Sequence, residues 1–271
     1  MFARKWNFLR ACGAMDGKHV TIKQPPCSGA KFYNYKGTYS IVLFAMVDAD
    51  YNFIYTNIGT NGQQNDAGIF RQSSLYEGLE SGTINLPPEH VLLGDSAFPL
   101  KTYLMKPYAQ KKTKGRTTIF NYRLSRARRI VENAFGILTW RFRIFLRPIE
   151  VKEDTVDDII LTACSLHNWL RVCSPTYLTA TCVDQEDANT GEIIPGLWRS
   201  EVHELISISS SGVSNNYKQQ AEKIRKQYTD YFCSEGSIQS QWKATGLNPE
   251  DVDEELDEDV DSNNSDCDDS D

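Results

Sequence analysis

Ala14-Met15-Asp16-Gly17-Lys18-His19-Val20-Thr21-Ile22 decides how this chain is read. Apolar and β-branched residues broken by polar ones predict a strand. An aspartate stands inside it, although Asp is disfavoured in strands. Downstream, Gln24 to Gly29 is a loop. Tyr39 to Val47 is apolar nearly throughout, which predicts a strand buried on both faces. After a turn at 48–52, Phe53 to Ile58 is a third strand. Asn65-Asp66 reads as a helix start, with Ile69, Phe70 and Leu75 on the inner side and Gly82 at its end. His90 to Leu93 is a short apolar strand running into Gly94-Asp95. Three strands, a helix and another strand predict a mixed α/β sheet.

A basic stretch follows, with no clear element of its own. The strongest helical signal spans about 121–145, where Leu124, Ala127, Val131, Phe135, Leu138 and Phe142 recur at helical spacing. Asn121 is placed to cap its start and Pro148 to stop it. A second apolar helix is expected over Thr155 to Val172. Residues 179–196 read as a loop and 198–233 as one or two amphipathic helices. From 248 onward the chain is acidic and expected to be disordered. The organisation predicted is an α/β domain over 1–175, a helical extension over 176–247 and an acidic tail over 248–271.

Charge supports that division. Of the 36 acidic residues, 13 lie from Asn248 onward with no Lys or Arg among them, so 29 basic residues face 23 acids in the body. The body is mildly basic and the tail conceals it in a net charge of −7. The longest apolar run, Ile41 to Val47, is far short of the roughly 20 residues that cross a bilayer. Residues 1–6 lack the apolar core of a secretion signal. Seven cysteines with no C-x-x-C pair predict reduced thiols in an intracellular protein. A zinc site at Cys164, His167, Cys173 and Cys182 matches no recurring spacing, and buried thiols on an apolar helix explain Cys164 better.

Three acids stand where packing does not ask for them: Asp16 in a strand, Asp95 closing one, and Glu132 directly after the core position Val131. Hard divalent cations prefer carboxylate oxygen, and phosphodiester chemistry with two ions needs several carboxylates converging about 4 Å apart. Each acid also has an ordinary reading. Asp16 can end a strand before Gly17, Asp95 can cap a turn, and Glu132 can pair with Arg128 or Arg129 on its own helix. The surroundings weigh toward chemistry. Between Lys101 and Arg147 there are 13 Lys or Arg and one acid, Glu132. Basic side chains of that density neutralise a phosphate backbone without reading sequence. Lys111, Lys112, Lys114, Arg116, Arg123, Arg126, Arg128 and Arg129 are the expected nucleic-acid contacts.

Several ordered blocks carry a resemblance. Met15-Asp16-Gly17-Lys18-His19-Val20, Phe32-Tyr33-Asn34-Tyr35-Lys36, Gly94-Asp95-Ser96-Ala97-Phe98-Pro99-Leu100, the run from Phe120 to Leu138, and Leu166-His167-Asn168 resemble PIF/Harbinger-type DDE transposases and their Harbinger-derived nuclease-like relatives. The resemblance implies a ribonuclease-H-like fold, a mixed five-stranded sheet flanked by helices. It implies Asp16, Asp95 and Glu132 as catalytic carboxylates with Mg²⁺ or Mn²⁺, and places 36 residues between Asp95 and Glu132. Asp66 falls where the family also carries an acid. It is either a further metal ligand or a helix N-cap. The expected activity is a metal-dependent DNA endonuclease. The alternative is a catalytically idle transposase relative serving as a nuclear DNA- or chromatin-binding scaffold. DNA, a Myb/SANT-like partner protein and a homo-oligomer are the implied partners. The nucleus, and secondarily the cytoplasm, is the expected location.

Overall fold

The computed structural model describes residues 1–61, 66–109, 113–187, 189–201, 205–208, 219–250 and 252. Asn65, Lys111, Lys112 and the tail residues from 253 onward lie outside the described residues. Helix α1 (Phe2–Trp6) precedes strands β1 (Ala11–Thr21), β2 (Ser40–Val47) and β3 (Phe53–Asn61). Helices α2 (Asp66–Gln72) and α3 (Ser74–Ser81) follow, then strands β4 (Val91–Leu93) and β5 (Leu104–Met105). The long helices are α4 (Gly115–Arg141) and α5 (Glu153–Cys173). Beyond them lie a small hairpin of β6 (Gln185–Glu186) and β7 (Ile193–Ile194), helix α6 (Leu197–Glu201), strand β8 (Ile206–Ser207), and helices α7 (Gln219–Cys233) and α8 (Gln239–Thr245).

The sheet order is β3-β2-β1-β4-β5. β2 runs antiparallel to both β1 and β3, and β4 runs parallel to β1, as β5 does to β4. Helices cover both faces. This is the ribonuclease-H-like arrangement expected from the sequence, with one addition: β8 pairs antiparallel with β1 at Lys18 and His19, making a sixth strand. Two residues are too few to show a period of two, so nothing in the sequence announces β8.

Strand β2 is buried on both faces, as its unbroken apolar run predicts. Leu43 and Ala45 join one core with Val20, Leu93, Leu124, Phe135 and Phe232. Val42 and Phe44 join the other, with Met15, Phe70, Leu92 and Phe98 beneath α2 and α3. The helix expected over 65–82 is two helices. Ser73 interrupts it by accepting the Tyr76 N–H through Oγ at 3.2 Å, an N-cap that restarts the chain as α3. Gly82 ends α3 in the left-handed region, as foreseen.

Helix α4 starts six residues earlier than its apolar spacing suggests. Asn121 is inside it and does not cap it; its side chain instead brackets Tyr108, accepting the N–H at 2.8 Å and donating to the carbonyl at 3.0 Å. The helix has three differently employed faces. One packs on the sheet through Leu124, Val131 and Leu138. A second is covered by the C-terminal elements, and Gly136 lets them close in: a Cβ there would lie 2.3 Å from the Trp198 indole. The third carries Arg128 and Glu132, one turn apart. Among the described residues no helix is long and apolar enough to cross a membrane.

Candidate metal centre and its surroundings

Strands β1 and β4 are parallel neighbours with Ala14 opposite Leu93. Asp16 and Asp95 each stand two residues beyond that pair, so the register alone delivers them side by side. Asp66 arrives from the first turn of α2. The three offer oxygens that all lie within 4.8 Å of one another. Asp16 and Asp66 are buried, at 7% and 2% exposure.

Burying three like charges together is costly unless a cation joins them. Burial, then Asp16 and Asp95, push the Asp66 carboxyl well above the usual range. Burial also raises Asp95; Arg128 opposes this and Asp16 adds to it. Asp66 Oδ1 is buried and accepts no hydrogen bond among the described residues. An N-cap oxygen would be satisfied by backbone N–H groups, so this oxygen does not serve as one. Its approach requires a glycine opposite, because a Cβ on Gly17 would fall 2.4 Å from it. An orphaned oxygen in an all-carboxylate cluster fits a hard divalent cation.

Each acid is steadied by its surroundings. Asp16 Oδ2 lies 3.1 Å from Lys18 Nζ, on the same face of the strand two residues on. Asp95 Oδ1 accepts the Ala97 N–H at 2.9 Å, so its turn-capping role and its place in the cluster coexist. Glu132 is not one of the three. Its side chain is 43% exposed, and Oε2 lies 3.8 Å from Arg199. Burial of its carboxyl raises its pKa; Arg128 counters this and Asp16 reinforces it. Glu132 therefore stands at the rim, within electrostatic reach of Asp16.

The basic residues of α4 divide sharply. Arg128 acts electrostatically on Asp66, Asp95 and Glu132, and its buried Nε has no hydrogen-bond partner among the described residues. Arg123, Arg126 and Arg129 are corrections to the expected DNA surface. Arg123 is 1% exposed and donates to the Gly236 carbonyl and Gln241 Oε1, both at 2.7 Å, and to the Asn7 carbonyl. Arg126 donates to Glu186 and to the Trp6 carbonyl, and Arg129 ion-pairs with Glu186 at 2.8 Å. Glu186 is buried beneath them; although burial alone would raise its pKa, the Tyr122 hydroxyl and Arg129 hold it below the usual range. These three arginines fasten the C-terminal elements to α4, and their guanidinium groups are already committed within the protein. Arg116 is engaged by Asp230 at 2.8 Å, and Lys114 sits exposed at the start of α4.

Lys18 was legible from its i+2 position after Asp16. Arg199 was not, since it meets Glu132 across 66 intervening residues and is held by Asp184 at 2.7 Å. His167 has both ring nitrogens occupied, by the Tyr51 carbonyl and the Tyr177 hydroxyl, each at 2.9 Å, which leaves none for a zinc ion. Burial pushes the Cys164 thiol up to about 12.

The sheet order, the paired strand ends and the acid-bearing helix together define a nuclease-type fold of the DDE class. The chain belongs to the DDE superfamily endonuclease family, whose profile matches residues 15–168. The chain is 31% identical over 170 residues to "Protein ALP1-like" of Arabidopsis thaliana, covering 58% of this chain and 42% of that one. It is 30% identical over 159 residues to "Putative nuclease HARBI1" of Homo sapiens, covering 58% and 44%. The Rattus norvegicus protein of the same name is 30% identical over 163 residues with the same coverage. These relatives bear out the Harbinger resemblance. The chain spans less than half the length of the curated relatives it matches. No solved structure matches it.

Proposed function

We propose that this chain is a metal-dependent DNA endonuclease of transposase descent that breaks phosphodiester bonds with two divalent cations. The observation carrying this reading is the convergence of Asp16, Asp66 and Asp95 within 4.8 Å, with the Asp66 oxygen orphaned. Asp16, Asp66 and Asp95 would hold the ions, with Glu132 completing one shell from the rim. Magnesium or manganese suits an all-oxygen ligand set. When bound, the ions activate the attacking oxygen and stabilise the leaving one.

The chain's own groups do the rest. Lys18 fixes the Asp16 carboxylate, and the Ala97 N–H fixes Asp95. Arg199 restrains Glu132. Arg128 is the cation of α4 that acts on Asp66, Asp95 and Glu132, and its charge suits a phosphate brought to them. Lys114, with Lys111 and Lys112 outside the described residues, is placed by sequence to bind the strand further along. A Myb/SANT-like partner, self-association and nuclear residence accompany this reading.

The position of Glu132 favours one other reading. An acid half-open to solvent and tied to Arg199 is what a domesticated, idle DNA-binding scaffold would retain. Nicking of supercoiled plasmid with Mg²⁺ or Mn²⁺, compared with Asp95→Ala and with EDTA, separates the two. Metal-dependent nicking abolished by Asp95→Ala supports the nuclease. Equal, salt-sensitive DNA binding without nicking supports the scaffold.

A further inference from the structure

From Gly17 to Val47 the sequence holds four lysines, Lys18, Lys23, Lys31 and Lys36, and no acid. Lys18 is engaged by Asp16, and Lys23 by Glu150 at 2.9 Å. Among the described residues Lys31 and Lys36 form no ion pair. Their ammonium groups lie instead over aromatic rings, Phe32 at 4.9 Å and Tyr35 at 5.3 Å. Side chains alternate along this loop. Phe32 and Asn34 are buried, while Tyr33 and Tyr35 are 44% and 54% exposed.

The exposed rings are held in place. Asn34 Oδ1 accepts the N–H groups of Lys36 and Thr38, and its Nδ2 donates to Ser40 Oγ at 2.9 Å. The Tyr33 ring packs edge-on against Tyr39 at 5.3 Å. Tyr35 donates its hydroxyl to the Ser207 carbonyl at 2.9 Å. Ser207 Oγ in turn accepts from Lys18 Nζ at 2.8 Å, and that ammonium is 3.1 Å from Asp16. Tyr35 is thus linked to the metal centre through two residues.

Ordered aromatic rings left open to water between unpaired lysines match one chemistry well. The ring faces suit nucleobases and the ammonium groups suit phosphates. A duplex hides its base faces in its own stack, so the rings can take only unpaired bases. We propose that the loop from Lys31 to Lys36 is a stacking platform for unpaired bases of the DNA strand, next to the phosphodiester presented to Asp16, Asp66 and Asp95. Its placement beside a scissile bond rests on the nuclease reading; the stacking itself does not.

The test uses the full chain in EDTA and a single-stranded DNA oligonucleotide carrying 2-aminopurine, with the same sequence as a duplex for comparison. Stacking on Tyr33 or Tyr35 quenches 2-aminopurine in the single strand. The Tyr33→Ser/Tyr35→Ser double variant is expected to bind the single strand about tenfold more weakly, the scale set by losing one stacked base. Its duplex binding should be unchanged, and its thermal midpoint should fall only slightly, from the lost Tyr39 and Ser207 contacts. Tyr35→Phe, which keeps the ring and loses the Ser207 bond, should keep the quench. Wild-type affinity in the double variant, or equal losses on duplex and single strand, overturns the platform. Asp95→Ala serves as the control on the underlying reading. If nicking ignores Asp95→Ala while the quench still depends on the tyrosines, the nuclease reading fails and the platform stands. If nicking needs Asp95 and the quench ignores the tyrosines, the platform alone fails.

Discussion

Asp66 Oδ1 fills the space that a side chain at Gly17 would need; a Cβ there would sit 2.4 Å away. The same Cβ would also meet Ile208 Cδ1 at 2.3 Å. Both neighbours are the mobile ends of side chains and can swing aside at small cost. Gly17→Ala is therefore expected to leave the fold intact and displace the Asp66 carboxylate. Thermal unfolding with and without Mn²⁺ checks this. The metal-free midpoint should hardly move, and the metal-induced rise should shrink or vanish. A full metal-induced rise in Gly17→Ala would show that Asp66 does not need its present position.

Asp66 itself is expected to lower the stability of the metal-free protein. Its pKa is raised by burial and by Asp16 and Asp95, so ionising it in the folded state opposes folding. The sign follows: the folded state holds a proton that the unfolded state releases, and stability falls as pH rises above the ordinary carboxylate range. Asp66→Asn keeps the shape and removes the charge. In EDTA at pH 7.5 it should be more stable than the parent by about 1 kcal/mol, the scale of relieved active-site strain. With Mn²⁺ the order should reverse. Urea midpoints in both conditions measure it, and a less stable metal-free Asp66→Asn would refute the account.

How much of this was legible in the sequence depended on distance along the chain. Strands β1 to β4 showed themselves through local apolar patterning. Asp16 showed itself as an acid out of place inside β1, and Asp95 as an acid closing the apolar run of β4. Asp66 stayed balanced between cap and ligand because α2 starts there on either reading, and the orphaned oxygen is the observation that favours the ligand. The error on Arg123, Arg126 and Arg129 has a single physical cause. A run of arginines on an amphipathic helix looks solvent-exposed unless one knows that Trp198, Glu186 and Gln241 return over that face. Those contacts join residues more than 50 positions apart, and no local period encodes them.

Arg123 and Arg128 should consequently behave as opposites. Arg123→Ala leaves the Gly236 and Asn7 carbonyls and Gln241 without their donor inside the protein. A loss of about 2–4 kcal/mol is expected from unsatisfied buried acceptors and the vacated volume. Arg128→Ala should change stability little. It should cut nicking about 10²-fold if Arg128 meets the reacting phosphate, and lower the salt slope of DNA binding by about one. Thermal midpoints, initial nicking rates and binding isotherms at several salt concentrations settle both. A destabilised Arg128→Ala with normal nicking per folded molecule would reverse the assignment.

His167 sets a pH window for stability. The Tyr51 carbonyl can only accept, so Nε2 carries the proton and Nδ1 receives the Tyr177 hydroxyl. That is a neutral imidazole, and burial pushes its pKa down to about 4. The unfolded chain has an ordinary value near 6.5. Between those values the unfolded state binds the extra proton, so stability is complete above pH 6.5 and declines as pH falls toward 4. A depression of that size corresponds to about 3 kcal/mol. His19 is also pushed down to about 4 by burial and contributes in the same direction. His167→Gln lacks one of these two titrations. Its urea midpoint should be lower than the parent's at pH 7.5, from a poorer fit to Tyr51 and Tyr177, yet fall less steeply between pH 6.5 and 4.5. The converging curves distinguish a proton taken up by the unfolded chain from general acid sensitivity, because the latter would leave the two curves parallel.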